Sequence, residues 1–580
     1  MQIAKNIISV AAAALLVSMP AFVNADELNK EITLDKDVVT AQRDVNRQSI
    51  TPAISLPEIT PKNLAFSETS TMAKFSNSIA LLDAATYANH LLDGPARGYV
   101  TAGYFPLLNA NLAAGYQFID NGKSKLNAWM NYNGTKYDRE AMYSQELTVK
   151  RHHATVFVGG SHLINPRLEL FANANGTFDT FNYPTLGKVD DQNSRQVLAN
   201  IGVRSLANET RPFSYNARFK YNGVFFSKPV PVLGDDAKPI TENKFSLIGG
   251  LGANIDEYAK VGLDFQASLT RYTGDVYDEN EIGKYSEITE HNRTKIILNP
   301  FLEYSKGKAT AHIGFEFKAA FSPKTKVYFA PDVNLGYRVF DWLGVNAHIG
   351  GGEIVNSFDR LLPIDIYASP NEFYGSGHSP LDALLSVNFG PFCGASLSLF
   401  GGYTIANDVI TPDADYFAVY DNINDIPKIY PIGISRYQVV DMKGYRLGAS
   451  VAYKFRNLVD FNATYQMTPQ GLDKGYYPWL DHAHHVVAAS VAVRPIDPLT
   501  VGLKYDLRTS RGSYIVTSAG TYKESLGTIN SLGIFGAYRF NDNLRFHATV
   551  ENLMNRHWDI IFGVPAPGIT GLIGATYIFR

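Results

Sequence analysis

From Arg97 to Arg580, apolar and polar residues alternate with a period of two. Val501, Leu503, Tyr505 and Leu507 interleave with Thr500, Gly502, Lys504, Asp506 and Arg508. Leu544, Phe546, Ala548 and Val550 interleave with Arg545, His547, Thr549 and Glu551. Val261, Leu263, Phe265, Ala267 and Leu269 do the same against Asp264, Gln266, Ser268 and Thr270. Further copies fall at Leu168–Asn175, Tyr215–Asn222, Ala309–Lys318 and Val459–Gln466. Successive side chains of a strand point to opposite faces, so each segment predicts a strand with one apolar and one polar, often charged, face.

The connections alternate in length. Short turns fall at Asp120–Ser124, Ile164–Pro166, Ala207–Pro212, Asp256–Tyr258 and Ser305–Lys308, then at Phe340–Trp342, Gly390–Gly394, Phe455–Asn457, Pro495–Pro498 and Phe540–Asn543. Between them lie mostly longer polar stretches: Asn133–Gln145, Tyr272–His291, Gly351–Pro380, Ile405–Asp441, Thr468–Asp481 and Thr509–Gly527. Phe105–Asn109 and Phe321–Lys324 are short exceptions on that side. Ten turns joining strands in pairs, with one strand added at each end, give 22 strands. Short turns on one side and long loops on the other predict an all-β fold, a transmembrane antiparallel β-barrel. Lipid accepts the apolar face only when every backbone hydrogen bond is closed in a ring. An even strand count puts both barrel ends at the short-turn, periplasmic side. Aromatic residues at strand ends (Tyr104, Phe105, Phe118, Trp342, Tyr453, Phe455, Trp479, Tyr538, Phe540, Tyr577 and Phe579) predict the interfacial girdles.

Composition narrows the picture. Only 18% of residues are charged, the net charge is -3, and 12% are aromatic. No basic field argues for nucleic acid. One cysteine, Cys393, excludes a disulfide framework or a cysteine-based metal site within the chain. Ile560–Phe579 carries no charge over 20 residues, but Gly563, Pro565, Pro567, Gly568, Gly571 and Gly574 break a helix there. At the other end, Lys5, the apolar run Ile7–Met19, and Val23 and Ala25 at the small-residue positions predict a signal peptide over 1–25. Residues 26–96 differ again, with Pro52, Pro57, Pro61 and Pro95 and no sustained alternation. They read as an extended arm, with a short helix predicted over Ser78–Leu92, where Ile79, Leu82, Ala85, Leu91 and Leu92 recur at roughly helical spacing. The barrel then occupies 97–580.

Two stretches resemble TonB-dependent receptors. Glu551-Asn552-Leu553 followed by Asn555, then Pro565-Ala566-Pro567-Gly568 and an aromatic-rich closing strand, look like that family's C-terminus. Gly574, Tyr577 and Phe579 are similar to the signal by which outer-membrane barrels are inserted, with Arg580 following the terminal aromatic. Near the mature N-terminus, Asp37 to Arg43, with Val38, Val39, Thr40 and Ala41 at its centre, resembles a TonB box, which works by adding a strand to a partner's sheet. The resemblance implies a 22-stranded barrel and a plug domain, yet only 53 residues separate Arg43 from Arg97, too few for a plug. The resemblance therefore implies a receptor-like outer-membrane barrel without a plug. Its expected partners are outer-membrane lipid, the barrel-assembly machinery, and TonB or another envelope protein.

Candidate chemistry is sparse. His482 and His484 share a strand face beside His485, but further ligands are wanting, and rim residues are the plainer reading. Asp408, Asp413, Asp415, Asp421 and Asp425 load one loop with carboxylates at no EF-hand spacing. Lys504, Asp506, Arg508, Arg545, His547 and Glu551 are expected to face the lumen. No Ser/His/Asp arrangement stands out, so no enzyme, cofactor or metal is expected. Two functions remain open. One is uptake or passage of a solute across the outer membrane; the other is a non-transporting structural or assembly component of an outer-membrane complex. Barrels of about 22 strands are normally plugged, so the arm and inward-folded loops, Gly351–Pro380 and Ile405–Asp441 among them, are expected to close the lumen.

Overall fold

Alternating segments become strands because each can turn apolar side chains to lipid and polar ones to a wet interior. A computed structural model describes residues 96–580, except 106–108, 141–145, 185–190, 207–212, 230–236, 278–284, 289–291, 322–324, 372–374, 420–427, 469, 473–482 and 518–519. The wall begins with Gly98–Phe105 (β1), Asn109–Asp120 (β2), Ser124–Glu140 (β3), Glu146–Asn165 (β4), Leu168–Phe181 (β5), Gln192–Ser205 (β6) and Phe213–Phe226 (β7). It continues with Thr241–Asn254 (β8), Ala259–Thr273 (β9), Asn292–Lys306 (β10), Ala309–Ala320 (β11), Lys326–Phe340 (β12), Leu343–Ile354 (β13) and Gly377–Phe392 (β14). Ala395–Val419 (β15), Lys428–Phe455 (β16), Val459–Met467 (β17), His485–Ile496 (β18), Leu499–Thr509 (β19), Ile529–Arg539 (β20), Leu544–Glu551 (β21) and Thr570–Phe579 (β22) complete it. Each strand pairs antiparallel with the next, and β1 pairs with β22, Gly98 opposite Phe579, so the 22 strands close into a barrel. A short strand, Gln470–Leu472, prolongs the pairing on β16 beyond β17.

Burial is inverted relative to a protein with an apolar interior. Val156, Val158, Leu247, Leu251, Ile313 and Phe315 lie exposed on the outer face, whereas Asn222, Ser246, Ser268, Thr270 and Lys318 are buried on the opposite one. Inside, Ser268 donates to Ser246 at 3.0 Å, and Lys318 reaches Glu353 at 3.2 Å with Lys295 on the same carboxylate. The apolar outer band and the closed ladder mark an outer-membrane barrel.

Asx turns hold the short-turn rim. Asn121 Oδ1 accepts from the Ser124 N–H at 2.7 Å, Asp256 Oδ1 from Ala259 at 2.7 Å, and Asn541 Oδ1 from Leu544 at 2.8 Å. Such side chains mimic a backbone turn and fix its length. Aromatic rings flank this rim: Phe340 stacks on Trp342 at 5.3 Å, and Tyr577 meets Phe579 edge-on at 5.2 Å.

The opposite rim departs from the sequence expectation. Asn133–Gln145 and Ile405–Asp441 were expected as polar loops; instead β3 and β4 pair as far as Glu140 with Glu146, and β15 and β16 as far as Val419 with Lys428. In the first pair the period-two pattern simply continues. Tyr137, Leu147 and Val149 are buried, while Lys136, Asp138 and Glu146 are exposed. Charge on the outer face disguises the strand as a loop, because above the lipid that face meets water.

Candidate functional site at the extracellular mouth

The connection between β13 and β14 turns into the barrel mouth. Its sequence Ser357-Phe358-Asp359-Arg360-Leu361-Leu362-Pro363 forms one helical turn, Phe358–Leu361 (α1). Ser357 occupies the N-cap position, Asp359 sits in the first turn, and Pro363 cannot continue the helix. Phe358, Leu361 and Leu362 are buried with Val224, Phe226, Ile240 and Tyr272 of the β7–β9 side, and with Ile410 and Tyr437 of β15 and β16. Phe358 meets Phe226 edge-on at 5.1 Å between ring centres. Because β15 lies eight strands round the ring from β7, this loop joins distant parts of the wall.

Polar contacts fix it along its length. Asn371, fully buried, donates its amide to the carbonyls of Lys238 at 3.0 Å and Asp275 at 2.8 Å. Asn356 donates to the Asp408 carbonyl at 2.9 Å. The Phe358 N–H donates to the buried Glu242 carboxylate at 3.1 Å, and Asn222 donates to Asp359 at 2.6 Å. Ser369 N and Ser435 O (2.9 Å), with Ser435 N and Tyr367 O (2.9 Å), dock the loop backbone on β16. Asp365 accepts from the Tyr437 hydroxyl at 2.6 Å and from the Tyr367 N–H at 2.9 Å. Burial pushes its carboxyl pKa up, against the pull of the Ser435 and Tyr437 donors. Asn356 Oδ1 and Glu242 Oε1 stay without a partner, but a segment with its other buried groups held at so many points is built as a cap.

The last extracellular connection, between β21 and β22, folds in beside it. Ile561 and Val564 share a core with Tyr137, Phe181, Tyr183, Ile366 and Tyr367, and the Tyr137 hydroxyl donates to the Pro565 carbonyl at 2.8 Å. The Glu-Asn-Leu-x-Asn and Pro-x-Pro-Gly elements are the frame of this loop. Asn552 and Asn555 both adopt left-handed backbone (φ 48 and 47), a conformation asparagine tolerates better than most residues. Asn552 accepts from the Arg556 N–H at 2.9 Å and donates to the Pro567 carbonyl at 3.1 Å, tying the two elements together. Arg139 of β3 donates to Asn555 Oδ1 at 2.8 Å and passes so close to Gly568 that a Cβ there would sit 2.2 Å from its guanidinium.

Lys504, Asp506 and Arg508 alternate with the exposed Val501 and Leu503 and share a face with buried Phe535, whose ring lies 5.6 Å from Lys504 Nζ. Arg508 pairs with Asp506 at 3.1 Å. Arg545 is buried on β21, His547 packs against the bare Cα of Gly574, and Glu551 ends the strand under the last loop. Gly574, Tyr577 and Phe579 lie on β22, the two rings exposed. His485 Nδ1 contacts the Tyr465 hydroxyl at 3.0 Å, and the His484 N–H donates to the Thr509 carbonyl at 3.0 Å. Val38, Val39, Thr40 and Ala41, the predicted signal peptide, the arm with the helix predicted over Ser78–Leu92, His482, Asp421 and Asp425 lie outside the described residues. Among the described residues no three His, Cys, Asp or Glu side chains form a metal-ligand set. Sequence reasoning did not single out Glu242, Asp365, Tyr437 or Asn371. A signal was present, since Phe358, Leu361, Leu362, Ile366 and Tyr367 crowd five large apolar residues into one stretch of a supposed polar loop.

No family model matches the chain, and no curated protein matches it in sequence. Solved structures do. The ferric enterobactin receptor of Pseudomonas aeruginosa superposes with a TM-score of 0.59 at 11% identity, over 83% of this chain and 80% of its own. The FrpB iron transporter of Neisseria meningitidis gives 0.61 at 11% identity, over 84% and 82%. A copper transporter, OprC, gives 0.59 at 13% identity, over 84% and 80%. The barrel is receptor-like. At these identities the likeness establishes the fold alone, a closed 22-stranded barrel like those of these receptors and transporters.

Proposed function

We propose that this chain passes a solute across the outer membrane through its lumen, under control of the cap at Asn356–Asn371. The observation that carries the reading is that cap. It is joined by buried apolar and polar contacts to strands eight places apart in a barrel too wide for wall side chains alone to fill. Lys504, Asp506, Arg508, Arg545, His547 and Glu551 belong to the lumen wall in this reading, mixing both signs along the route. The names of the similar structures, an enterobactin receptor, an iron transporter and a copper transporter, support passage as the class of function. Energised opening would use the TonB-box-like Val38, Val39, Thr40 and Ala41.

Replacing Asn356–Asn371 by a short Gly/Ser linker should raise single-channel conductance in planar bilayers well above that of the full chain, with a further rise when residues before Arg97 are also removed. Unchanged small conductance in both variants would sink the reading. The tight fit of the cap favours a second reading, a permanently closed barrel serving as a structural component. Cross-linking the cap to β7 through cysteines at Phe358 and Phe226, with Cys393 replaced by Ser, separates the two. Passage should stop under the first reading, whereas the second predicts no change in any transport assay.

A further inference from the structure

Towards the short-turn rim, the lumen wall carries a niche of about 360 Å³ built from β5 to β10. Its floor is bare because β8 places glycines there, within the run Gly249-Gly250-Leu251-Gly252. A Cβ at Gly250 would sit 2.4 Å from Asp264 Oδ1 and 2.9 Å from Asn216 Nδ2. One at Gly252 would sit 2.7 Å from Ser214 Oγ. Asn216, Gly250 and Asp264 form one row of the ladder, and Arg218 stands two residues beyond Asn216 on β7. By the period of two, these residues share the inner faces that bury Asn222, Ser246 and Ser268. Arg218 and Asp264 therefore flank the same bare stretch of β8 from either side.

The charges of the niche select its guest. Arg204, Arg218, Lys260 and Asp264 line it. Two of them are matched from behind: Arg204 Nε donates to Glu169 at 2.6 Å, and Lys260 Nζ to Glu303 at 3.3 Å. Arg204 is nonetheless 57% exposed, and its Nη atoms make no hydrogen bond among the described residues. Arg218 and Asp264 are exposed and, among the described residues, form no hydrogen bond or ion pair, with each other included. Two opposite charges that share a concave wall without meeting suit the two ends of a zwitterion. A guanidinium takes a carboxylate in its fork, and a carboxylate accepts from an ammonium. A simple anion would face Asp264, and a simple cation would face three positive groups, and like charges brought together are costly.

We propose that this niche binds an acidic amino acid, its α-carboxylate on Arg218, its ammonium on Asp264 and its side-chain carboxylate on Arg204. The inference rests on the lumen wall, and solute passage plays no part in it. Calorimetry on the full chain in detergent at low salt tests it, with L-glutamate as the probe. Glutarate, which lacks the ammonium, and cadaverine, which lacks the carboxylates, are the controls. L-Glutamate should bind saturably in the millimolar range or tighter, and each control about tenfold more weakly or not at all. Arg218→Gln and Asp264→Asn should each weaken L-glutamate binding about tenfold or more, because each leaves one charge of the guest without its partner. Heat-modifiable gel migration checks that both variants keep the barrel. Absence of saturable L-glutamate binding to the wild-type chain overturns the proposal. Glutarate binding as tightly as L-glutamate does so too, since the site would then be a plain anion site, as does undiminished affinity in folded Asp264→Asn. Binding in detergent needs no conductance, so that failure would leave the passage reading standing.

Discussion

A carboxylate taken out of water stays charged only where donors and cations repay its lost hydration. Asp559, in the last extracellular loop, is fully buried and accepts from the Gly563 N–H at 3.2 Å. Burial outweighs that bond and the nearby Arg511 charge, and pushes the carboxyl from 3.8 up to about 6. The docked loop therefore binds a proton more tightly than the undocked loop. Its docking gains most from this below pH 3.8, and the gain is lost as pH rises through about 6. His557, 3.7 Å from Asp559 and held by burial below the usual imidazole value, acts in the opposite sense, so the Asp559 share is read as a difference. Protection from hydrogen exchange over 557–567 in the wild type minus that in Asp559→Asn should be largest near pH 4 and shrink towards pH 7, and a difference that grows with pH would refute the assignment. Nothing in the sequence flagged Asp559, because burial of a lone acid in His557-Trp558-Asp559-Ile560 depends on a distant strand, through Tyr137 and Pro565.

Single strands were far more legible than single sites. Alternation needs no partner to be visible, and Leu503 and Lys504 fall on opposite faces as the period of two requires. Leu503 is 44% exposed on the apolar face, so Leu503→Arg should destabilise the barrel by about 2–4 kcal/mol if it lies near the midplane. Lys504→Gln should cost much less, and unfolding in urea from lipid vesicles measures both. Equal costs would mean that the apolar face of β19 does not meet lipid. The reading of elements failed where the environment changes along one strand. Above the membrane, the outer face of β3 carries Lys136, Asp138 and Glu140, and the alternation turns from apolar–polar to buried–charged. The cap escaped for a related reason. Its apolar residues follow one helical turn and Pro363, a pattern too short for any periodicity to register.

Counting connections gave the whole molecule its strand number, because a barrel's turns and loops must alternate between two rims whatever the residues in them. The same bookkeeping fixes sidedness, and it can be checked on intact cells. With Cys393 replaced by Ser, a cysteine placed at Asp497, between β18 and β19, should resist a membrane-impermeant maleimide, whereas one at Glu140, at the far end of β3, should react. The reverse pattern would turn the barrel over. The ring itself carries a kinetic consequence. The Thr101 and Thr576 hydroxyls meet at 2.9 Å across the β1–β22 junction, although 475 positions separate them in the chain. A contact of such separation forms late, since the entropy of closing the loop must be met before the pairing rewards it. Until β22 arrives, β1 and β21 are open edges able to pair with another chain. A nascent protein stalled before Thr570 is therefore a sheet seeking a partner, and the ten residues of β22 decide between a sealed cylinder and an aggregate.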